Sequence, residues 1–483
     1  MTPREKPQIT EWGLTRRGFL GRVAGGIHGA ALAYLLGRDL RGAERARGPE
    51  PRSPHFGPKA RAVIHLFMNG GPSQMDLFDP KPLLDRHHGE AYFDKIAGEV
   101  ENPQAAGALF RSPFRFERRG QCGMWISDAL PHIARRADDI ALVRSMHTTS
   151  LTHEPAVYMI QSGKLGPGRP TLGAWVTYAL GSESDDLPAY IVLDDPLGLP
   201  VNGVENWQAG FLPPVFQGTR LRSTGTPVLN LKRETGEPET VARLERGLIA
   251  RLDDLHRLER PGQPILDARI ASYELAARMQ LAATDALDIS RESTATLEMY
   301  GIGKEPTDSY GRRCLLARRL VERGVRFVQL YINSQIWDNH TELASGLKSA
   351  CERTDLPIAA LLEDLKQRGL FGSTLVVWGG EFGRLPIAQL PADKDARKAG
   401  RDHNKNAFSS WLAGAGVKGG TTHGATDDLG LRAVEGQVSV PDWHATILHL
   451  LGLDHDLLFV DRNGFKEKLT SVFDASVVKE ILA

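Results

Sequence analysis

The sequence is poor in cysteine and has no excess of charge of either sign. Its 483 residues include three cysteines, Cys122, Cys314 and Cys351, and no C-x-x-C pair, so the sequence implies neither a zinc knuckle nor a disulfide framework. The chain has 59 basic and 59 acidic residues and a formal net charge of +0. A neutral chain has no net attraction to nucleic acid or to an anionic membrane, and we expect no nucleic-acid partner.

Long hydrophobic runs are also missing. The apolar stretch near the amino terminus, residues 23–36, is short for a membrane span and rich in Gly and Ala. It follows the string Thr15-Arg16-Arg17-Gly18-Phe19-Leu20. A twin arginine in front of an apolar stretch resembles the signal of the twin-arginine (Tat) export pathway.

This resemblance divides the chain into a Tat-type signal in residues 1–37, a polar linker in 38–58 and a folded domain in 59–483. Export by the Tat pathway predicts a periplasmic or other extracytoplasmic location. No clean Ala-x-Ala cleavage site follows the apolar stretch. An uncleaved signal that anchors the protein to the membrane therefore stays open.

Within the folded domain, strand-like and helix-like segments alternate, as expected for a sheet covered on both faces. Residues 238–289 predict a long amphipathic helical insertion with a break at Pro261-Gly262. We therefore expect a single large α/β domain. The predicted strands are 60–68, 140–143, 189–193, 325–332 and 374–378, and the predicted helices outside the insertion are 153–162, 171–180, 311–323 and 342–367.

Three polar strings stand out against this pattern. Trp337-Asp338-Asn339-His340 and Gly380-Glu381-Phe382-Gly383-Arg384 each follow a predicted strand, and Gly400-Arg401-Asp402-His403 follows a charged loop. In open α/β sheets, ligands bind beyond the carboxyl ends of the strands, so carboxylates and imidazoles there indicate a metal or catalytic site. Such donors without thiolate suit zinc, manganese, magnesium or calcium, and the sequence does not choose among them.

Each string also has a purely structural interpretation. Glu381 and Arg384 fit an ion pair near the sheet, and His340 fits a capping or core histidine. Asp402 and His403 are harder to explain in this way, because a Gly-bounded loop with three charged or ionisable groups needs a partner. His444 lies on an apolar helical pattern, so we expect it to pack in the core.

The strings resemble a known family. Phe67-Met68-Asn69-Gly70-Gly71-Pro72-Ser73-Gln74-Met75-Asp76 is similar to the signature of the domain-of-unknown-function 1501 family (DUF1501), and so are the three polar strings and Asp442-Trp443-His444-Ala445-Thr446-Ile447. The family is bacterial, is abundant in planctomycetes and is placed with the alkaline phosphatase and sulfatase superfamily. The resemblance implies an α/β fold of the alkaline phosphatase type, a three-layer αβα sandwich with a mostly parallel central sheet.

The superfamily hydrolyses phosphate or sulfate esters with one or two divalent metals, which neutralise the ester and lower the pKa of the nucleophile. Asn69 stands where metal-binding relatives often carry Asp, so it keeps a carbonyl donor but lacks the charge. The resemblance implies metal ligands among Asn69, Asp76, Asp338, His340, Glu381, Asp402 and His403.

The nucleophile half of the resemblance is altered. The segment Thr148-Thr149-Ser150-Leu151-Thr152-His153 in front of Ser162-Gly163 has the outline of a nucleophile at a helix start. Counting back from Gly163 without a gap places His153 at the nucleophile position, whereas one gap restores Thr152; Thr149 is the third candidate. We expect Arg401 to steady the anion. Because no Cys-x-Pro-x-Arg or Ser-x-Pro-x-Arg string occurs, the formylglycine of ordinary sulfatases cannot form.

These features predict an exported metal-dependent hydrolase of phosphate or sulfate esters that does not use formylglycine. Its substrate would be an anionic ester or a sulfated or phosphorylated glycan. The alternative is a catalytically silent extracytoplasmic protein that binds a metal or a partner, and the resemblance points to a cytochrome-like protein as one such partner. The sequence leaves the oligomeric state open.

Overall fold

A computed structural model describes residues 52–222, 239–261, 263–332 and 335–483. The predicted signal in residues 1–37 and most of the predicted linker lie outside the described residues. The described residues belong to two units, of which one contains residues 239–270 and the other contains the rest. No helix in the described part of the chain is both long and apolar enough to cross a lipid bilayer.

A large, mostly parallel sheet forms the centre of the second unit. Within the described residues its order is β8-β2-β7-β6-β1-β5-β3-β4, with β9 paired to β2. Only β7 runs antiparallel to its neighbours, β2 and β6. The nine strands are β1 (Ala62–Phe67), β2 (Ile140–His147), β3 (Tyr190–Leu193), β4 (Thr219–Leu221), β5 (Phe327–Tyr331), β6 (Thr374–Gly379), β7 (Phe408–Gly414), β8 (Thr421–His423) and β9 (Val438–Ser439).

The central strands form because their sequences are apolar on both faces. Every residue of β1, β5 and β6 is buried, as expected for parallel strands with helices on each side. Alternate side chains of β1 point to opposite cores: Ile64 and Leu66 join one hydrophobic cluster, and Val63 and Phe67 join the other. Continuous hydrophobicity, and not alternation, therefore marks these strands in the sequence.

Helices cover both faces of this sheet. In the described residues the longer helices are α1 (His153–Ser162), α2 (Leu172–Leu180), α3 (Glu239–Glu259), α4 (Pro264–Leu287), α5 (Asp308–Glu322), α6 (Leu343–Gln367) and α7 (Val440–Leu450), of which α3 and the start of α4 belong to the first unit. The shorter ones are Gln74–Leu77, Pro82–Arg86, Phe93–Ile96 and Thr294–Met299. Leu315 of α5 and Leu361 of α6 lie in the core of one face. Val157 of α1, Trp175 of α2 and Ile447 of α7 lie in the core of the other. The predicted three-layer αβα arrangement is confirmed.

The helix ends follow local chemistry. Ser439 caps α7 by accepting from the Asp442 N–H, while the Asp442 carboxylate accepts from the Ser439 N–H, which is a reciprocal capping arrangement. Helix α1 ends at Gly163, whose φ of 72° is left-handed. Two helices, α3 and α4, fall within the stretch predicted as a helical insertion, and the gap between them contains the predicted Pro-Gly break.

Short two-stranded ribbons lie outside the main sheet. One of them matters for the site, because it pairs Gly383–Arg384 with His403–Asn404 and so joins the second polar string to the third. The other ribbons pair Ala106–Leu109 with Ile387–Gln389, Phe116–Arg119 with Met124–Ser127, Ala425–Thr426 with Ala433–Glu435, and Val460–Arg462 with Phe465–Glu467.

Candidate metal centre

The polar strings meet at the carboxyl edge of the sheet. Strand β1 lies between β5 and β6, and its last residue, Phe67, pairs with Tyr331 on one side and Gly379 on the other. The loops that follow these three strands therefore start at the same level. The Arg401 N–H donates to the Asn339 carbonyl at 3.0 Å, which brings the third string onto the first.

Three histidines surround one carboxylate. Asp338 Oδ1 is 2.9 Å from His340 Nε2 and 3.2 Å from His403 Nε2. Its other oxygen, Oδ2, is 3.3 Å from His153 Nε2. The four residues each offer a ligand atom within 4.8 Å of the others. The Nε2 atom of each imidazole thus points at Asp338.

The opposite ring nitrogen of each histidine is held by an acceptor. His153 Nδ1 lies 2.7 Å from Glu381 Oε1, and His403 Nδ1 pairs with Glu101. His340 Nδ1 contacts the Gln389 side-chain oxygen. With each Nδ1 acting as a donor, each Nε2 keeps its lone pair for a metal, which is the usual arrangement around metal-binding histidines.

Aromatic packing fixes the orientation of these rings. The Phe382 ring centroid is 4.8 Å from that of His153 and 4.4 Å from that of His403. The His153 and His403 rings also contact each other edge to face, with centroids 4.5 Å apart. Because Phe382 is completely buried, it limits the rotation of both imidazoles.

The charged groups of the cluster shift the pKa values of His153 and Asp338. Burial lowers the pKa of His153, but the carboxylates of Asp338 and Glu381 outweigh burial and raise it to about 9. Burial raises the pKa of Asp338, yet Arg384 and the three histidines hold it well below its usual range. The buried Oε2 of Glu381 has no hydrogen-bond partner within the described part of the chain. A bound cation would let His153 be a neutral ligand.

The donor set fits a divalent transition metal. Three imidazole nitrogens and one carboxylate oxygen suit zinc or manganese, whereas calcium and magnesium prefer oxygen ligands throughout. The residues present therefore fit the divalent metal that the sequence predicts.

Glu381 and Arg384 support the cluster separately and do not form the ion pair of the structural interpretation. Glu381 Oε1 accepts from the Gly70 N–H at 2.9 Å. Arg384 Nη2 lies 2.7 Å from Asp338 Oδ1, and its Nε donates to the Gly71 carbonyl at 2.9 Å. A Cβ on Gly70 would lie 2.7 Å from the Asp338 nitrogen, so this close approach requires glycine.

Asp402 has a supporting place beside the cluster. Its Oδ1 accepts from the His403 N–H at 2.8 Å, and its Oδ2 accepts from the Asn102 N–H at 2.9 Å. Glu101, Asp402 and His403 also form a second group with converging donor atoms. Since both Asp402 oxygens receive backbone N–H groups, Asp402 holds the loop that carries Glu101 against His403.

Three other predicted site residues are engaged elsewhere. Asn69 is buried, and its Nδ2 donates to the Ile332 carbonyl at 2.7 Å, which joins the ends of β1 and β5. Asp76 and Arg401, expected as a metal ligand and an anion-binding group, instead pair with each other: Arg401 Nε lies 2.7 Å from Asp76 Oδ2. Both are completely buried, with 0% exposure. This ion pair engages both side chains, and their expected roles as a metal ligand and an anion-binding group stay predictions.

The nucleophile candidates separate clearly. Thr149 and Thr152 are exposed, and Thr152 Oγ1 contacts the Ser150 hydroxyl at 3.3 Å. His153, the first residue of α1, has a side chain only 12% exposed and turns into the cluster. Of the three candidates, His153 is the one that lies in the cluster, and it is the residue that the count back from Gly163 without a gap selects.

Sequence reasoning missed the groups that anchor the histidines. Glu101 and Gln389 belong to no motif and follow no strand of the main sheet. Their role arises only when the loop at residue 101 and the ribbon strand Ile387–Gln389 come together beside the third string. The packing role expected for His444 agrees with its complete burial and its 2.8 Å contact with the Ile160 carbonyl.

Gly400 supports the centre through backbone contact. A Cβ there would lie 2.1 Å from the His340 carbonyl carbon and 2.2 Å from the Asn339 oxygen. Gly400→Ala is expected to displace His340 and to cost about 1–3 kcal/mol in the free energy of unfolding, because the backbone must shift. Urea unfolding and metal content measure both effects.

Gly372→Ala is the matched control, since a Cβ at Gly372 meets nothing within 4 Å. Equal stability and equal metal content in the two variants would contradict the steric argument.

Comparison with known proteins places the chain in a family. A family profile described as "Protein of unknown function (DUF1501)" matches residues 60–482. The chain belongs to the DUF1501 family. No curated protein matches the sequence.

Several solved structures are similar to this chain at low sequence identity. A sulfatase from Pseudoalteromonas sp., PsFucS1, is 11% identical with a TM-score of 0.38, covering 95% of this chain and 76% of that one. The lipoteichoic acid synthase LtaP from Listeria monocytogenes is 10% identical with a TM-score of 0.37, covering 87% and 78%. A magnesium-bound variant of TAB5 alkaline phosphatase is 12% identical with a TM-score of 0.33, covering 83% and 99%. The strand order of this chain's own sheet, with helices on both faces, shows the α/β architecture.

Proposed function

We propose that this protein is a metal-dependent hydrolase of phosphate or sulfate esters that does not use formylglycine. One observation carries the proposal. The Nε2 atoms of His153, His340 and His403 converge on Asp338, while each Nδ1 lies against the side-chain oxygen of another residue. Such preorganisation is the pattern of a metal centre, and a bound divalent metal would polarise the ester and lower the pKa of a water molecule.

The charge distribution supports an absolute requirement for the metal. Both arginines of the polar strings are committed to protein carboxylates, Arg384 to Asp338 and Arg401 to Asp76. Neither guanidinium is therefore available as the main counter-charge for an anionic substrate. The proposed substrate class is an anionic ester, including sulfated or phosphorylated glycans.

The test is metal analysis combined with turnover. Purified protein loaded with zinc or manganese should retain one or more equivalents after desalting and should hydrolyse para-nitrophenyl phosphate, bis(para-nitrophenyl) phosphate or para-nitrophenyl sulfate. A chelator should abolish the activity, and His403→Ala should lose both metal and activity. Metal-loaded protein that turns over none of these esters, with metal content unchanged in His403→Ala, would overturn the proposal.

A second candidate is a catalytically silent protein that binds a metal or a partner. It is favoured by the number of donors, because four protein ligands fill a tetrahedral site and catalytic zinc sites usually keep one position open. Bound metal without turnover would support it. Capture of an extracytoplasmic partner, such as a cytochrome-like protein, should then survive His403→Ala.

We also propose export through the Tat pathway to the periplasm or another extracytoplasmic location, with the signal left uncleaved as an anchor if no peptidase removes it. The support is the twin arginine at Arg16 and Arg17 before an apolar stretch. Lysine at both positions should keep the protein in the cytoplasm, as measured by cell fractionation. Unchanged export of that variant would refute the Tat route.

A further inference from the structure

His153 makes contacts through both nitrogens of its ring. Its Nδ1 lies 2.7 Å from Glu381 Oε1, and its Nε2 lies 3.3 Å from Asp338 Oδ2. Imidazole has only two ring nitrogens, and the contacts on this ring involve both. If Nδ1 donates its hydrogen to Glu381, the lone pair left on Nε2 points into the cluster.

The environment of Glu381 is built to hold that ring. The Glu381 side chain is completely buried, and its Oε1 accepts both from His153 and from the Gly70 N–H at 2.9 Å. The backbone donor fixes the carboxylate, and Phe382 packs against the imidazole with ring centroids 4.8 Å apart. Glu381 is thus a positioning residue that selects the Nδ1–H form of His153.

The two threonines predicted as alternative nucleophiles are not among the residues that contact Asp338 in the part of the chain that the structure describes. The side chains of Thr149 and Thr152 lie on exposed residues. Thr152 contacts Ser150, and within the described residues it makes no hydrogen bond with Asp338 or the three histidines. The described cysteines lie outside the cluster: Cys122 is on a surface turn, and Cys314 and Cys351 are in helices α5 and α6.

We propose that His153 is a metal ligand held by Glu381, and that ester cleavage uses water directly and forms no covalent adduct with the protein. In that reaction the water oxygen forms the bond to phosphorus or sulfur, and the bond to the alcohol oxygen breaks. One water proton leaves on the alcohol and the other remains with the hydrolysed anion, so the step balances without a further reactant. This inference rests on the proposed metal centre, but the test of His153 as a metal ligand does not require turnover.

The test of His153 as a metal ligand is a titration with zinc against a competing chelator, together with X-ray absorption spectroscopy on the zinc-loaded protein. His153→Ala is expected to weaken zinc binding by more than about 100-fold, beyond the 10- to 100-fold range typical of losing an outer partner. The number of coordinating imidazoles should fall from three to two. Glu381→Gln should weaken zinc binding by about 10- to 100-fold and keep three imidazoles.

Glu154→Gln is the matched control, because Glu154 is the next residue of α1 and is exposed; it should match the original protein in both measurements. His153→Gln replaces His153→Ala if the smaller side chain prevents folding. An unchanged imidazole count and an unchanged zinc affinity in the His153 variants would overturn the inference.

The test for a covalent adduct uses para-nitrophenyl phosphate and an alkaline quench, which preserves phosphohistidine, followed by measurement of the intact protein mass. The expected result is turnover with no phosphoryl mass increase at steady state. A phosphoryl group on His153, Thr149 or Thr152 would overturn the inference. Zinc bound through three imidazoles without turnover of any ester would instead refute the proposed hydrolase and leave His153 assigned as a ligand.

Discussion

Asp338→Asn is expected to remove metal binding and any metal-dependent activity, with zinc affinity falling by at least about 100-fold. All three histidines contact Asp338, and its two oxygens divide them: His340 and His403 lie at Oδ1, and His153 lies at Oδ2. Asparagine keeps the shape and one oxygen. It loses the negative charge, which compensates both the metal and the buried Arg384.

The same substitution should also destabilise the metal-free protein. Arg384 is 1% exposed, and its Nη2 pairs with Asp338 Oδ1 at 2.7 Å. Without that carboxylate the guanidinium becomes a buried charge whose remaining partners are mainly backbone carbonyls. Removing one member of a buried pair costs about 3–5 kcal/mol, and the retained amide oxygen should keep the loss near the lower end.

Two measurements separate these effects. Zinc content after desalting reports the ligand, and urea unfolding in the presence of a chelator reports the ion pair. Asp428→Asn is a suitable control, because Asp428 is exposed.

Asp402→Asn should retain metal better than Asp338→Asn, since Asp402 receives backbone N–H groups. Equal metal content in Asp338→Asn and the control would exclude Asp338 as a ligand.

The central sheet could be read from the sequence because burial on both faces leaves a simple pattern. Strands β1, β5 and β6 are short apolar runs. The predicted runs at 60–68 and 325–332 contain β1 and β5, and the run at 374–378 ends one residue before β6 does. The position of Asp338 and His340 at the carboxyl edge follows from the same pattern, since each parallel strand ends at that edge. These features depend only on neighbours in the sequence.

Features that depend on distant partners could not be read in this way. Arg401 and Asp76 are 325 positions apart, and nothing in the sequence around either residue indicates that each neutralises the other. Glu101 meets His403 only because Asp402 draws the loop at Asn102 towards it. Whether Thr152 or His153 enters the centre depends on where α1 starts, and one residue changes the direction of a side chain by about 100° on a helix with 3.6 residues per turn.

Arg401→Met is expected to lower the free energy of unfolding by about 3–5 kcal/mol. The guanidinium makes two contacts with Asp76, 2.7 Å from Nε to Oδ2 and 3.2 Å from Nη2 to Oδ1. It also donates to the Phe110 and Leu385 carbonyls at 2.9 and 3.3 Å. Methionine fills part of the space but leaves a buried carboxylate with the Ser73 hydroxyl as its other side-chain partner. Urea unfolding measures the loss.

A double-mutant cycle tests whether the pair itself is responsible. Asp76→Leu combined with Arg401→Met removes both charges, so the double variant should lose less stability than the sum of the single variants. Lys348→Ala breaks an ion pair with Glu352 between two exposed side chains and should cause no measurable change. An additive cycle would show that Asp76 and Arg401 act independently.

The same variant also decides between a structural and an anion-binding Arg401. If Arg401 bound the substrate anion, Arg401→Met would raise KM for the ester and leave the free energy of unfolding unchanged. The buried pair predicts the opposite, because a side chain with 0% exposure cannot reach a substrate that enters from solvent. Folded Arg401→Met protein, assayed well below its unfolding temperature, should therefore keep the zinc content and the KM of the original protein.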